Sequence, residues 1–135
     1  MIVRNLREVS GTERDVRSDT WRSRRLLLQE DRMGFSLHDT VIHGGSSTRM
    51  CYRHHVEAVY CVEGRGSVTV TSTGETFPIE PGTVYALDDH EEHILTAERA
   101  MRMVCVFNPA LCGTEIHDED GAYPPPPAKE TETIQ

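Results

Sequence analysis

Glu57-Ala-Val-Tyr-Cys-Val-Glu-Gly64, continued by Arg65-Gly66, is the stretch whose reading decides the fold. Side chains on a β-strand alternate between its two faces, so Glu57 shares one face with Val59 and Cys61. Glu63-Gly64-Arg65-Gly66 then supplies positions tolerant of positive φ, which predicts a turn between two strands. Outward from this point, the chain between about Arg24 and Phe107 is a succession of short β-type runs broken by glycine, proline or polar residues. The runs are Arg24 to Gln29, Gly34 to His43, Met50 to Val62, Gly66 to Thr71, Thr76 to Ile79, Thr83 to Leu87, His93 to Ala97 and Met101 to Phe107. Glu80-Pro81-Gly82 is a second turn signal, a fixed φ followed by a permissive residue. Eight runs of this kind predict an all-β barrel or sandwich. Alternation also groups Tyr85 with Thr83 and Leu87, and Cys105 with Met101, Met103 and Phe107, so these side chains can all point inward.

The bulk properties narrow the partners. With 22 acidic against 14 basic side chains in 135 residues, a net charge of -8 disfavours nucleic acid and anionic membranes, both of which attract clustered Lys and Arg. The expected ligand is a small molecule. The first thirty residues carry Arg4, Arg7, Arg14, Arg17, Arg22, Arg24 and Arg25, with no apolar run longer than Leu26 to Leu28, which does not read as a secretory signal. No stretch approaches the ~20 apolar residues of a spanning helix, and a cytoplasmic protein is expected. Cys51, Cys61, Cys105 and Cys112 show no CxxC spacing and are expected to be thiols. Residues 1–123 read as one domain, and the proline-rich 124–135 as a disordered tail with too little apolar surface to pack.

Two motifs carry a resemblance. Glu57 followed seven residues later by Gly64 resembles the first motif of metal cupins, and Gly74, Pro81-Gly82 and His93 resemble the second. The two histidines that normally precede the glutamate would fall at Cys51 and Arg53, so a generic three-histidine site is excluded. Other segments narrow the match: Met1-Ile-Val-Arg-Asn-Leu6, Thr20-Trp-Arg-Ser-Arg-Arg-Leu-Leu-Leu28, Met33-Gly-Phe-Ser-Leu-His-Asp-Thr40, Tyr85-Ala-Leu-Asp-Asp-His-Glu-Glu-His93 and His117-Asp-Glu-Asp-Gly-Ala-Tyr123. Over about residues 1–123 the chain resembles the ectoine synthases. The resemblance implies a cupin barrel, a double-stranded β-helix or jelly roll with short helical pieces, in a cytoplasmic homodimer. An edge strand near the N-terminus is a plausible place for the dimer contact.

It further implies a hydro-lyase that closes N-γ-acetyl-L-2,4-diaminobutyrate into a cyclic amidine, with Glu57, Tyr85 and His93 holding one iron(II). A carboxylate, a phenol and an imidazole form a mixed oxygen and nitrogen set that suits iron(II), and zinc or manganese less distinctively. The reaction needs an amine freed of its proton, a stabilised carbonyl oxygen and a protonated leaving oxygen. Tyr52, Tyr85 and His117 are candidates for the proton transfers, with Glu115 holding the amine or orienting the histidine. Arg25 is the candidate clamp for the substrate carboxylate, since a guanidinium offers two parallel bonds, and Thr40 can add a hydroxyl contact. Trp21, Cys105 and Phe107 would line an apolar wall that keeps water from opposing the dehydration.

Several residues allow a second reading. Trp21 is either an edge plug of the barrel or a ligand contact. His54 and His55, taken as neighbours on a strand, face opposite ways, so at most one can reach a metal. His90 reads as a solvated residue of an acidic turn. His117-Asp118-Glu119-Asp120-Gly121 lacks the spaced ligands of a calcium loop and reads as a lid over the barrel mouth, the alternative being a surface loop. The rival functions are a non-catalytic cupin that binds a small solute and an iron-dependent oxygenase.

Overall fold

The computed structural model describes residues 1–119 and 121–125. From position 126 onward the expected proline-rich tail lies outside the described residues; Pro124 and Pro125 are exposed and belong to no strand. A four-residue helix, α1 (Leu6–Val9), opens the chain, capped by the Asn5 side chain and by Glu8 reaching back to the Asn5 backbone. The strands that follow are β1 (Asp15–Arg17), β2 (Trp21–Leu27), β3 (Ser36–Ile42), β4 (Ser47–Met50), β5 (Val56–Val70), β6 (Thr76–Ile79), β7 (Val84–Leu87) and β8 (His93–Asn108). One 3-10 turn, Gln29–Asp31, separates β2 from β3.

All pairings are antiparallel, along the path β1-β2-β3-β8-β5-β6, with β4 on β8 and β7 on β5. The organising pair is β5 with β8, in register from Val56↔Asn108 to Val70↔His93. The first half of β5 and the second half of β8 stand beside β7 and β3, while their other halves stand beside β6 and β4. Each long strand therefore passes from one group of strands into the other. Buried residues from both groups, among them Val59, Cys61, Val68, Ile79, Leu95, Met101, Met103 and Phe107, form a single core cluster. Burying each such side chain contributes about 1.5–3 kcal/mol, which is what folds the two groups face to face.

The passage between the groups corrects the sequence expectation. Glu63-Gly64-Arg65-Gly66 is not a turn between strands; it is a bend inside β5, where the register against β8 shifts between Cys61 and Gly66. Gly64 has φ +94°, and a Cβ there would lie 2.2 Å from the Ala100 carbonyl oxygen; at Gly66 it would lie 2.1 Å from that of Thr96. Glycine is needed for close backbone approach at a bulge as much as for a hairpin, and the local sequence does not separate the two. The same bend fuses the expected runs His93 to Ala97 and Met101 to Phe107 into β8. In contrast, Met50 to Val62 is not one strand: 51–55 is irregular and separates β4 from β5. Glu80-Pro81-Gly82 is a turn as expected, with Thr83 N donating to Glu80 O at 3.0 Å.

The N-terminal segment is fastened by charge. Asp31 accepts Arg4 Nη1 and Nη2 at 2.9 and 2.8 Å, Arg14 Nη1 at 3.2 Å and Leu28 N at 2.9 Å. These donors, Arg4 first, hold its carboxyl well below the usual carboxylate range. No helix among the described residues is long and apolar enough to cross a membrane.

Candidate active site

Between the two strand groups lies an open-mouthed cavity with about 420 Å³ of empty space, the solvent at its mouth included. Strand alternation supplies its wall: Glu57 and Val59 from β5, Tyr85 from β7, Met103, Cys105 and Phe107 from β8, Thr40 and Ile42 from β3, Trp21 and Ser23 from β2. Residues 101, 103, 105 and 107 are buried while 102, 104 and 106 are half-buried, the two-residue period of a strand with one face on the core. Trp21 is 4% exposed and lines the cavity, so it packs in the core and also faces the cavity.

Two buried groups, Glu57 on this wall and His93 at the start of β8, lack partners that would balance their burial. Burial pushes the Glu57 carboxyl up to about 8, a rise that a hydrogen bond from Cys105 only partly offsets. His93 Nδ1 lies 3.0 Å from the Glu91 carbonyl oxygen. A carbonyl only accepts, so Nδ1 carries the proton and Nε2 has a free lone pair. That Nε2 is fully buried with no hydrogen-bond partner. Burial of an ionisable carboxyl and of an unpartnered imidazole nitrogen is costly on its own, and a divalent cation between them would relieve both. Tyr85 has its ring 6.5 Å from that of His93, and burial, then the nearby Glu57, pushes its phenol well above the ordinary range. These three side chains suit a metal ion.

The roof of the cavity is built from segments outside the strands. The Tyr52 hydroxyl lies 2.7 Å from His117 Nε2 and 3.2 Å from Met50 Sδ. Its ring stacks on Tyr123 at 5.1 Å and meets Phe107 edge-on at 5.2 Å, while His117 lies 5.2 Å from Trp21. Burial, followed by the charge of Arg25, lowers His117 to about 4, so its ring is neutral near neutral pH. Burial pushes the Tyr52 phenol well above its usual value. The pair therefore joins an uncharged base to a protonated phenol. Asp118 N donates to Ala122 O at 2.8 Å and Gly121 N to Asp118 O at 3.0 Å, a tight turn whose flanking residues His117 and Tyr123 both line the cavity.

Glu115 and Arg25 stand behind this roof. The Glu115 carboxylate accepts the backbone N–H of Cys112 at 2.6 Å and of Gly113 at 2.7 Å; burial raises its carboxyl, but these bonds outweigh it and the net shift is downward. Arg25 is completely buried, donating Nη1 to Gly113 O at 2.8 Å, Nη2 to Glu115 O at 2.7 Å and Nε to Ser23 Oγ at 3.2 Å. Its guanidinium carbon lies 5.7 Å from the centre of the Tyr123 ring. The residue expected to clamp a carboxylate thus also gives one bond from each of Nη1 and Nη2 to the roof's own backbone. Ser23 Oγ also lies 3.0 Å from His38 Nδ1, and His38 Nε2 lies 2.8 Å from Ser36 Oγ, so the imidazole bridges the two hydroxyls. Ser36 Oγ also accepts Leu111 N at 3.0 Å, at the root of the roof segment.

Sequence reasoning missed Tyr123, His38, Ser23 and Met50 as parts of this assembly. The signal for the polar group was present, since Trp21, Ser23 and Arg25 alternate on β2 and Ser36, His38 and Thr40 on β3, all of them buried. His54 and His55 do not face opposite sides of a strand as expected, because 51–55 is not a strand and alternation does not apply there. His55 is nonetheless buried, edge-on to Phe107 and Tyr123, with both ring nitrogens unpartnered, and His54 is exposed. His90 is exposed, yet it is bonded to the backbone of Tyr52, so it is more than a solvated turn residue.

Two strand groups enclosing one core, with glutamate and histidine on the inner wall, define a cupin. A Schizosaccharomyces pombe cupin domain shares the fold at TM-score 0.56 and 16% identity, covering 66% of this chain and 61% of that one. The chain belongs to the ectoine synthase family, whose model matches residues 1–127. It is 56% identical over 126 residues to the L-ectoine synthase of Desulfatibacillum aliphaticivorans, covering 92% of this chain and 97% of that one. It is also similar to the crystal structure of ectoine synthase from P. lautus, with TM-score 0.85 and 54% identity over 96% of this chain and 94% of that one. Membership makes it an enzyme of the hydro-lyase class.

Proposed function

We propose that this enzyme closes N-γ-acetyl-L-2,4-diaminobutyrate into ectoine, with one iron(II) held by Glu57, Tyr85 and His93. In the reaction the α-amine nitrogen bonds to the acetyl carbon, the carbon–oxygen bond breaks, and the oxygen leaves as water with two protons given up by the nitrogens. The observation that carries the reading is the contact of a neutral His117 with a protonated Tyr52 at a largely apolar cavity. The imidazole can accept the proton of the attacking amine, and the phenol can donate to the departing oxygen. Trp21, Phe107 and Tyr123 exclude water that would oppose the dehydration. The hydroxyls of Thr40 and Ser23 lie on the wall where a substrate carboxylate would bond, with the positive charge of Arg25 behind them. Glu115 acts by shaping the turn that precedes His117.

A metal at the base of the cavity is supported by the unpartnered His93 Nε2 and the buried Glu57. Among the described residues no three His, Cys, Asp or Glu side chains gather around one point; Tyr85, which lines the same cavity as Glu57, would be the third donor. Iron(II) bound there would polarise the carbonyl oxygen as a Lewis acid. The test is to incubate the protein and iron(II) with the acetylated diaminobutyrate, with and without oxygen. Loss of one water in both conditions is expected; oxygen-dependent product would indicate an oxygenase, and unchanged substrate a binding protein.

A homodimer in the cytoplasm completes the proposal. Tyr60 and Val84, paired across β5 and β7, are both exposed, an apolar pair that a second copy would cover. All four cysteines are unpaired thiols, which suits a reducing compartment.

A further inference from the structure

Residues 88–92 connect β7 to β8 and lead directly into His93. At the centre of this loop His90 has φ 55°, the left-handed region that few residues other than glycine and asparagine adopt. In that conformation His90 Nδ1 lies 2.7 Å from the carbonyl oxygen of Tyr52, and its own carbonyl receives the Cys51 thiol at 3.5 Å. Since a carbonyl only accepts, Nδ1 is the donor. The next residue, Glu91, takes the His93 Nδ1 proton on its carbonyl at 3.0 Å. Two consecutive residues thus hold Tyr52 and His93 from one loop.

The need for such a tie follows from where Tyr52 sits. It stands in 51–55, which pairs with no strand, so no ladder register directs its side chain. Beyond His90, the backbone next to it is held by Cys51 N donating to Gly121 O at 3.0 Å, a bond to the roof rather than to the wall. The loop is itself braced: Glu91 Oε1 accepts Asp89 N at 2.8 Å, Thr71 N donates to Glu92 O at 3.1 Å, and Arg49 Nη2 reaches Glu92 Oε2 at 2.8 Å.

We propose that His90 is a positioning residue, whose imidazole ties the backbone of Tyr52 to the loop that orients His93 and so sets the phenol against His117. This rests on reading Tyr52 and His117 as the proton-handling pair. A displacement on the scale of an ångström at such a pair costs up to about 10²-fold in rate, so loss of the tie acts on kcat rather than on KM.

The test compares His90→Gly, which frees the backbone but removes the donor, with His90→Asn, which tolerates the left-handed backbone and keeps an N–H. In the iron-loaded full chain, His90→Gly is expected to lower kcat about ten-fold or more, with iron content and KM retained, and His90→Asn to recover much of it. Because the tie acts through Tyr52, His90→Gly should cost little further in a Tyr52→Phe background. A crystal structure of His90→Gly should show the Tyr52 hydroxyl out of hydrogen-bond reach of His117 Nε2. Wild-type kcat in His90→Gly, a full additional loss in the Tyr52→Phe background, or an unmoved hydroxyl would overturn the role. A wild-type protein that leaves the substrate unchanged would overturn the proposed reaction instead, and the variant's crystal structure would still decide the tie.

Discussion

Glu57, Tyr85, His93, Cys105 and Phe107 stand on β5, β7 and β8, where ladder register sets the direction of each side chain. Tyr52, Glu115, His117 and Tyr123 stand on segments that pair with no strand and are held by side chains reaching backbone atoms, chiefly those of Arg25, Glu115, Ser36 and His90. The wall is redundant, because each ladder bond is one of many. The roof depends on a few bonds, several of them charge-assisted and buried. A wall substitution should therefore change chemistry while leaving geometry intact, and a roof substitution should change the placement or supply of protons while leaving the metal in place.

Substitutions can break that division, beginning with the largest effect. His93→Ala removes one of three proposed protein ligands, and turnover should fall to background with loss of iron; full iron occupancy, read by metal analysis, would detach the wall from the metal. Tyr52→Phe and His117→Ala should keep iron and lower kcat by about 10²–10⁴, the range for one group in acid–base catalysis, and the double variant should be little worse than either. Phe107→Ala opens the wall without touching a ligand. It should cost about 3–5 kcal/mol in denaturant unfolding, impair cyclisation and retain iron. Normal turnover would reduce Phe107 to a core residue.

The smallest effect lies outside both regions. Asp15 is held at about 2, first by its hydrogen bond from Arg22, against an ordinary value of 3.8. A lowered carboxyl stabilises the fold above its ordinary pKa and stops doing so as pH falls through the folded value. Arg22→Ala should therefore lower stability by about 1 kcal/mol near neutrality. The gap from wild type should close as pH falls from about 4 to about 2. A pH-independent gap in thermal melts would contradict the ion pair.

The same division explains what was legible in the sequence. Alternation around Glu57, Tyr85 and Cys105 grouped the wall residues, because a strand's two-residue period is written in its own side chains. The passage of β5 and β8 between strand groups was not legible, since Gly64 and Gly66 have the same local signature at a bulge as at a turn. Of the roof, Tyr52, Glu115 and His117 were named from resemblance, and Tyr123 was not named. The roof's geometry depends on bonds between residues far apart in the chain, such as Arg25 to Gly113 and Tyr52 to His117, which leave no local pattern. Arg25 is an example: the sequence offers it as a ligand clamp, and only the fold shows that Nη1 and Nη2 each also serve a backbone carbonyl.

The most direct measurement is iron stoichiometry, taken together with turnover, in Glu57→Gln and in Tyr52→Phe. A wall that holds the metal and a roof that moves protons predict that Glu57→Gln loses both iron and activity, while Tyr52→Phe keeps a full complement of iron and loses activity. Iron retained in Glu57→Gln, or lost in Tyr52→Phe, would contradict the account.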